Sequence, residues 1–280
     1  MTHFTSKEYD QDNPYALKRR FATSSKTGLD GQISFAGTEH HRLTTGAEAS
    51  LATVNSTLFS TRSGFGGAAY VQDELTHLHP LVFSVGGRFD FFTVQEAKTY
   101  YQFNPKAGLV YHLAENIAVR SSVGSGYRVP TLAELFTEMK VAGLIEIRPN
   151  PDLDAEKSYS AEIGGNIITR TTSFDVALFS NWYTDMIEPM LNEGSSSQGQ
   201  FKNITKARVM GTEITATWNK DPLSLSANYL YTSSMDVEND RDLPYRPDHS
   251  VTLKGQVKYF RDIAAFNAAW RYKSKRLFSL

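Results

Sequence analysis

The chain has 280 residues, enough for one large β domain or two ordinary ones, and a formal net charge of −1. That balance excludes the basic footprint of a nucleic-acid binder, and the lack of cysteine excludes a disulfide scaffold and any thiolate metal site. Hydrophobic residues make up 40% of the chain, yet no run approaches the roughly 18 to 20 apolar residues that a membrane helix needs. The opening segment, Met1 to Arg20, is polar and charged and lacks the apolar stretch of a signal peptide, so an exported protein would have its natural N-terminus upstream of it.

Period-two alternation, the mark of strands with one apolar face, recurs along most of the chain. Weak versions occupy about 20–36, 42–55 and 67–78. A clear one follows at Leu81, Phe83, Val85, Gly87, Phe89 and Phe91, with Ser84, Gly86, Arg88 and Asp90 between. Phe103, Ala107, Leu109 and Tyr111 alternate with Asn104, Lys106, Gly108 and His112; Ile117, Val119 and Val123 alternate with Arg120, Ser122 and Gly124. Thr131 to Lys140 is the one short helical candidate. Beyond it, Tyr159, Ala161, Ile163 and Ile167 oppose Ser158, Ser160, Glu162 and Asn166, and weaker patterns cover 172–188 and 203–218. Leu223, Leu225, Ala227, Tyr229 and Tyr231 oppose Ser224, Ser226 and Asn228. Val251, Leu253, Val257 and Tyr259 oppose Thr252, Lys254, Gln256 and Lys258, and 263–276 ends the series. The total is about twelve antiparallel strands in an all-β fold.

Alternation does not say which face is wet. A soluble sandwich turns its apolar face inward; a membrane barrel turns it toward lipid and keeps charge in its lumen. Strand length favours the barrel, since the patterns run about 10 to 18 residues where soluble strands have a mode of about 5 to 6. Connection length agrees: short links near 37–41, 78–80, 113–116, 169–171, 219–222 and 260–262 alternate with longer ones near 55–66, 94–100, 127–155, 190–200 and 237–246. Aromatic residues crowd strand ends, as at Phe91-Phe92, Tyr100-Tyr101, Trp182-Tyr183, Tyr259-Phe260 and Trp270, where interfacial girdles sit. The polar face carries Glu48, Arg88, Asp90, Lys106, Arg120, Glu162, Asp175, Glu213 and Lys254, too many charges for a packed core and suited to a wide lumen.

Several motifs are more specific. Tyr70-Val71-Gln72-Asp73-Glu74, Gly86-Gly87-Arg88-Phe89-Asp90 and Asn104-Pro105-Lys106-Ala107-Gly108-Leu109 follow one another along the chain. Gly126-Tyr127-Arg128-Val129-Pro130 runs into Thr131-Leu132-Ala133-Glu134-Leu135-Phe136, and Asn150-Pro151-Asp152-Leu153 precedes Ala155-Glu156. Asn203, Gly211-Thr212-Glu213 and Pro244-Tyr245-Arg246-Pro247 complete the set. In this order they resemble the barrel domain of TonB-dependent outer-membrane receptors, with Val129 where the family usually has Ala and Ala155 where it usually has Pro. The resemblance covers about residues 70 to 260. It implies a barrel of about 22 strands in the outer membrane of a Gram-negative bacterium, filled by an N-terminal plug that contacts the TonB complex. It implies uptake of a scarce nutrient, with an iron–siderophore the first expectation and cobalamin or another nutrient the alternative; a passive porin-like barrel is the rival outside the family. The absence of His between 131 and 149 counts against haem. Neither plug nor TonB box is recognisable, and Phe278-Ser279-Leu280 resembles a strand interior. Residues 1–280 are therefore expected to be a partial barrel domain lacking the plug and the last strands, with an unpaired sheet edge at each end.

Transport needs no covalent chemistry, and no catalytic set stands out; His249 and Ser250 are adjacent and point to opposite strand faces. No enzyme activity and no cofactor is expected. Arg88, Asp90, Lys106, Arg120, Glu162 and Glu213 are expected to face the lumen and the plug, or simply to solvate the wall. Tyr127 and Arg128 open the longest external loop and are ligand-contact candidates, since aromatics and Arg often anchor binding; a structural role for that motif is the preferred reading. Asp236, Glu238, Asp240 and Asp242, with Glu8, Asp10 and Asp12 on the same side, could supply oxygens to calcium, but solvated loop charge is preferred. His77 and His79 beside Pro80 read as a turn pair rather than a metal site.

Overall fold

Branched and aromatic residues alternating with polar ones favour extended backbone, because each side chain then packs on a pleated surface with one face apolar. The computed structural model, which describes residues 2–8, 20–38, 40–76, 78–141, 145–192, 194–195, 197–243, 246–259 and 264–275, turns nearly every such stretch into strand. The elements are β1 (Thr2–Glu8), β2 (Arg20–Thr38), β3 (His41–Ser56), β4 (Ser60–Leu75), β5 (Leu81–Val94), β6 (Thr99–Ala114) and β7 (Ile117–Arg128). After β7 come α1 (Leu132–Phe136), β8 (Met139–Val141), β9 (Ile145–Arg148), β10 (Glu156–Ile168), β11 (Thr172–Leu191) and β12 (Gln198–Lys220). The series ends with β13 (Leu223–Asp236), β14 (Arg241–Asp242), β15 (His249–Tyr259) and β16 (Ala264–Lys273). The main path is β1-β2-β3-β4-β5-β6-β7-β10-β11-β12-β13-β15-β16, each strand antiparallel to the next, with β8, β9 and β14 as short side pieces. Among the described residues β1 and β16 are not paired with each other, so the sheet is open.

Register keeps one face apolar from strand to strand. Phe83 faces Leu109, Leu109 faces Ser121, Ser121 faces Ile163, and Ile163 faces Leu178. That row and its neighbours are exposed: Phe103 is 57%, Val123 58% and Leu178 53% accessible. Large apolar side chains left this open on every second position are what a lipid-facing wall requires. The buried apolar core lies elsewhere, at one rim, around Leu135 and Leu153. No helix is long and apolar enough to cross a membrane; α1 has five residues.

Several boundaries differ from the sequence expectation. The path holds β1, which polar Thr2–Glu8 did not signal, and it pairs with β2 through Lys26 to Arg20. Strand β4 begins at Ser60, so the expected long link 55–66 shrinks to a turn over 57–59. The stretch Ser63-Gly64-Phe65-Gly66-Gly67 has too few apolar side chains to show a period, but its backbone pairs on both sides, and the Phe91 and Phe92 rings lie where Cβ atoms on Gly67, Gly64 and Gly66 would stand. An aromatic ring covering a strand glycine restores the contact that the glycine lacks. The helix candidate 131–140 contracts to α1, because Thr137 is already extended and β8 follows.

Candidate functional site

The polar face of the wall is organised by arginines that reach across a strand. Arg88 on β5 passes over β4 to Glu48 on β3 with two hydrogen bonds of 2.8 and 2.7 Å, and its Nε donates to Asp90 at 2.8 Å. Asp90 in turn accepts from Asn104 on β6 at 3.1 Å. Arg88 also lies 5.7 Å from the centre of the Tyr70 ring, whose hydroxyl donates to Gln32 on β2. Arg120 on β7 repeats the device: it crosses β10 to Asp175 on β11 at 2.6 and 2.9 Å and donates to Glu162 at 3.2 Å. The crossing is possible because Gly164 lies under the guanidinium; a Cβ there would stand 3.0 Å from Arg120 Cζ and 2.7 Å from the Val176 carbonyl oxygen. Forked donors matched to carboxylates give directional pairs, although half-exposed ones add little net stability. Glu213 on β12 accepts from Asn228 on β13 at 2.8 Å. Lys106 has no ion-pair partner among the described residues, and it lines an open cleft of about 530 Å³ with Gln32, Tyr70, Gln72 and Arg88.

The rim at the far ends of β5, β7 and β11 carries a small, dry cap. Thr131 caps α1 reciprocally: its hydroxyl accepts from the Glu134 amide, and the Glu134 carboxylate accepts from the Thr131 amide. Leu135 and Leu153 are fully buried among Val94, Tyr100, Leu132, Phe136 and Ile187. Tyr100 donates to the Leu153 carbonyl at 3.0 Å, and the Arg62 guanidinium sits 4.7 Å over the Phe136 ring. Asn203 ties the cap to the hairpin of β11 and β12, donating to the Asp154 and Asp185 carbonyls while accepting from the Asp154 amide.

Within this rim Arg128 donates to Glu134 and to both oxygens of Glu156, and Glu156 also accepts from the Ile187 amide at 2.7 Å. Its donors are thus spent joining β7, α1 and β10. Tyr127 packs against the cap, and its buried hydroxyl has no hydrogen-bond partner among the described residues. Both residues line a cleft of about 670 Å³ with Lys26, Glu48, Arg88 and Asp90. The structure therefore brings Tyr127 and Arg128 beside the Arg88 cluster, a neighbourhood that their separation in sequence conceals.

The acidic loop resolves differently. Asp236, 2% exposed, accepts from the Glu238 and Asn239 amides, the Asn239 side chain and the Arg241 guanidinium. Burial opposes its ionisation, but the Asn239 and Arg241 donors prevail and hold its carboxyl below the usual value. Its oxygens are occupied by the turn, and among the described residues no three His, Asp or Glu side chains converge as metal ligands. Asp10, Asp12 and His77 lie outside the described residues, as do the side chain of Glu8 and the Pro244-Tyr245 part of one motif. Sequence reasoning missed Arg62, Tyr100 and Asn203 as members of the cap assembly; only the tertiary contacts of Phe136, Leu153 and Asp154 with these distant strand residues reveal them.

Residues 2–279 match the family model described as TonB dependent receptor-like, beta-barrel. Among solved structures, a mutant of the ferric enterobactin receptor PfeA from Pseudomonas aeruginosa is similar with a TM-score of 0.72 at 19% identity, over 91% of this chain and 42% of that one. The siderophore receptor PirA from Acinetobacter baumannii gives 0.69 at 16% identity, over 93% and 44%. The copper transporter OprC gives 0.71 at 16% identity, over 90% and 44%. At these identities the likeness is one of fold, and the chain spans less than half the length of each of these solved relatives. The family and these neighbours are receptors and transporters, not enzymes. The chain belongs to the TonB-dependent receptor-like β-barrel family.

Proposed function

We propose that this chain forms part of the wall of an outer-membrane receptor that takes up a scarce nutrient, an iron–siderophore complex, with energy delivered by the TonB complex through a plug. The observation that carries the membrane reading is the polarity of the wall: exposed Phe103, Val123 and Leu178 on one face, ion-paired Arg88 and Arg120 on the other. A surface of that kind is stable only when lipid covers the apolar side. The cargo reading is supported by the receptors of similar fold, which include two whose names give enterobactin or siderophore as ligand. On this reading Arg88, Asp90, Lys106, Arg120, Glu162 and Glu213 face the plug. Tyr127 and Arg128 shape the ligand entrance, with Arg128 acting through its hold on Glu134 and Glu156.

The test is uptake of radiolabelled ferric siderophores by cells that express the intact receptor and lack their own. Accumulation that vanishes on deletion of TonB is the expected result. Accumulation that persists without TonB would overturn the energised-receptor reading in favour of a passive barrel. Accumulation of cobalamin but of no iron complex would overturn the cargo.

A further inference from the structure

We propose that the crossing of Tyr70, Arg88 and Glu48 on the polar face is a gate between two clefts, and that an anionic metal complex passes it by taking the place of Glu48 on Arg88. The proposal rests on the uptake reading above, to which it adds a route and a charge class. Two side chains lie flat along the wall here. Tyr70 on β4 reaches over Gly46 of β3 to Gln32 of β2, where its hydroxyl donates at 2.9 Å; a Cβ on Gly46 would collide with the ring. Arg88 on β5 reaches over Ala68 of β4 to Glu48 of β3. Glu48, Ala68 and Asp90 form one rung, and the one guanidinium holds both of its carboxylates. The small residue beneath each crossing lets the longer side chain lie down.

The crossing divides the space on this face. On the rim side is the cleft of about 670 Å³, which Tyr127 and Arg128 line. On the far side is the cleft of about 530 Å³, where Gln72 and Lys106 stand on one rung with Gly86 between them. Glu48 and Arg88 line both. Charge changes from one cleft to the other. On the rim side Lys26, Arg88 and Arg128 are matched by Asp30, Glu48 and Asp90, whereas the far cleft has Arg88 and Lys106 against Glu48 alone. An anion therefore gains attraction as it moves inward between this wall and the plug, because a narrow cleft focuses the field of its lining charges.

The ion pair at the crossing is suited to exchange. Its two side chains are 36% and 45% exposed, and ion pairs that open to solvent add little net stability, so giving up Glu48 costs little. Arg128 differs: the carboxylates of Glu134 and Glu156 that it holds are far less exposed, and its bridge fastens the cap. The guanidinium of Arg88 presents a planar fork that matches a pair of anionic oxygens, so a carboxylate or catecholate of the cargo replaces the two Glu48 oxygens one for one. Asp90 holds the Nε of Arg88 throughout. Lys106 is the next cation inward: it lies two residues along β6 from Asn104, which faces Arg88, about 8 Å away backbone to backbone.

The experiment uses cells that carry the intact receptor with a single cysteine, Q72C, in the far cleft; residues 1–280 have none of their own. Anionic sulfonatoethyl or cationic trimethylammonioethyl methanethiosulfonate is added outside, and the rate of labelling is measured. The anionic reagent is expected to react about tenfold faster. R88Q or K106Q is expected to abolish that preference, and R88K to keep it. E48Q, which removes the competing acid, is expected to speed anionic labelling, and K254Q, elsewhere on the polar face, to leave both rates unchanged. Heat-modified gel mobility confirms that each variant is folded. Equal rates for the two reagents, no labelling from outside, a preference that survives both R88Q and K106Q, or slower anionic labelling in E48Q overturns this proposal alone. Absence of TonB-dependent uptake of ferric siderophores by the wild type overturns the reading beneath it.

Discussion

The wall from β5 to β13 and the rim cap around α1 use the same residue types under opposite rules. In the wall, Phe103 and Val123 are more than half exposed, while Arg120 lies against Asp175 and Glu162. In the cap, Leu135 and Leu153 are fully buried and Arg62 covers Phe136 from outside. The difference teaches that hydrophobic burial follows the solvent a surface meets. The cap hides its leucines as a soluble domain does; the wall, on the proposed membrane reading, turns its apolar side to hydrocarbon and its half-exposed charges to the opposite face. Between the two, the Arg128 bridge to Glu134 and Glu156 fastens one regime to the other.

The largest expected effect tests the cap. Leu135→Ala should cost about 2 to 5 kcal/mol of local stability, the usual range for emptying a closed apolar site, read as faster hydrogen exchange at the Leu153 and Ile187 amides with the wall unaffected. A loss spread evenly over cap and wall would show that the two are not separate packing units. Next comes the wall. Leu109→Arg should weaken assembly in lipid by about 2 to 4 kcal/mol if it sits near the midplane, and Ser122→Arg, on the lumen side, by far less. Urea titration of both in vesicles separates the cases, and similar losses at both sites would erase the contrast in polarity. The smallest effect sharpens the account of the rim turn. Because its donors hold Asp236 below the ordinary 3.8, the turn keeps its full stability above that pH and loses it as pH falls through the lower folded value. An NMR titration of the Asn239 amide follows this, and a transition above pH 3.8 would contradict it.

Much of the wall was legible in the sequence. The alternation at Leu81–Phe91, at Ile117–Val123 and at Tyr159–Ile167 foretold strands, and the charges between those residues fall on one face. Where glycine and serine interrupt the period, as in Ser60–Gly67, the strand was invisible, because cross-strand pairing and the rings of Phe91 and Phe92 hold it in place. The motif at 126–136 was recognised as a unit and read as structural, but its contacts were not legible: Glu134 and Glu156 meet at Arg128 only because β7 pairs with β10 across the loop that separates them.

By itself, then, the order of residues determined the strand periodicity, the two unlike faces and the family motifs, since these depend on neighbours two positions apart or within one short segment. Only the tertiary structure decided which charges meet. Arg88 finds Glu48 and Arg120 finds Asp175 across an intervening strand, so the partner of each is set by register, and register is a property of the whole sheet.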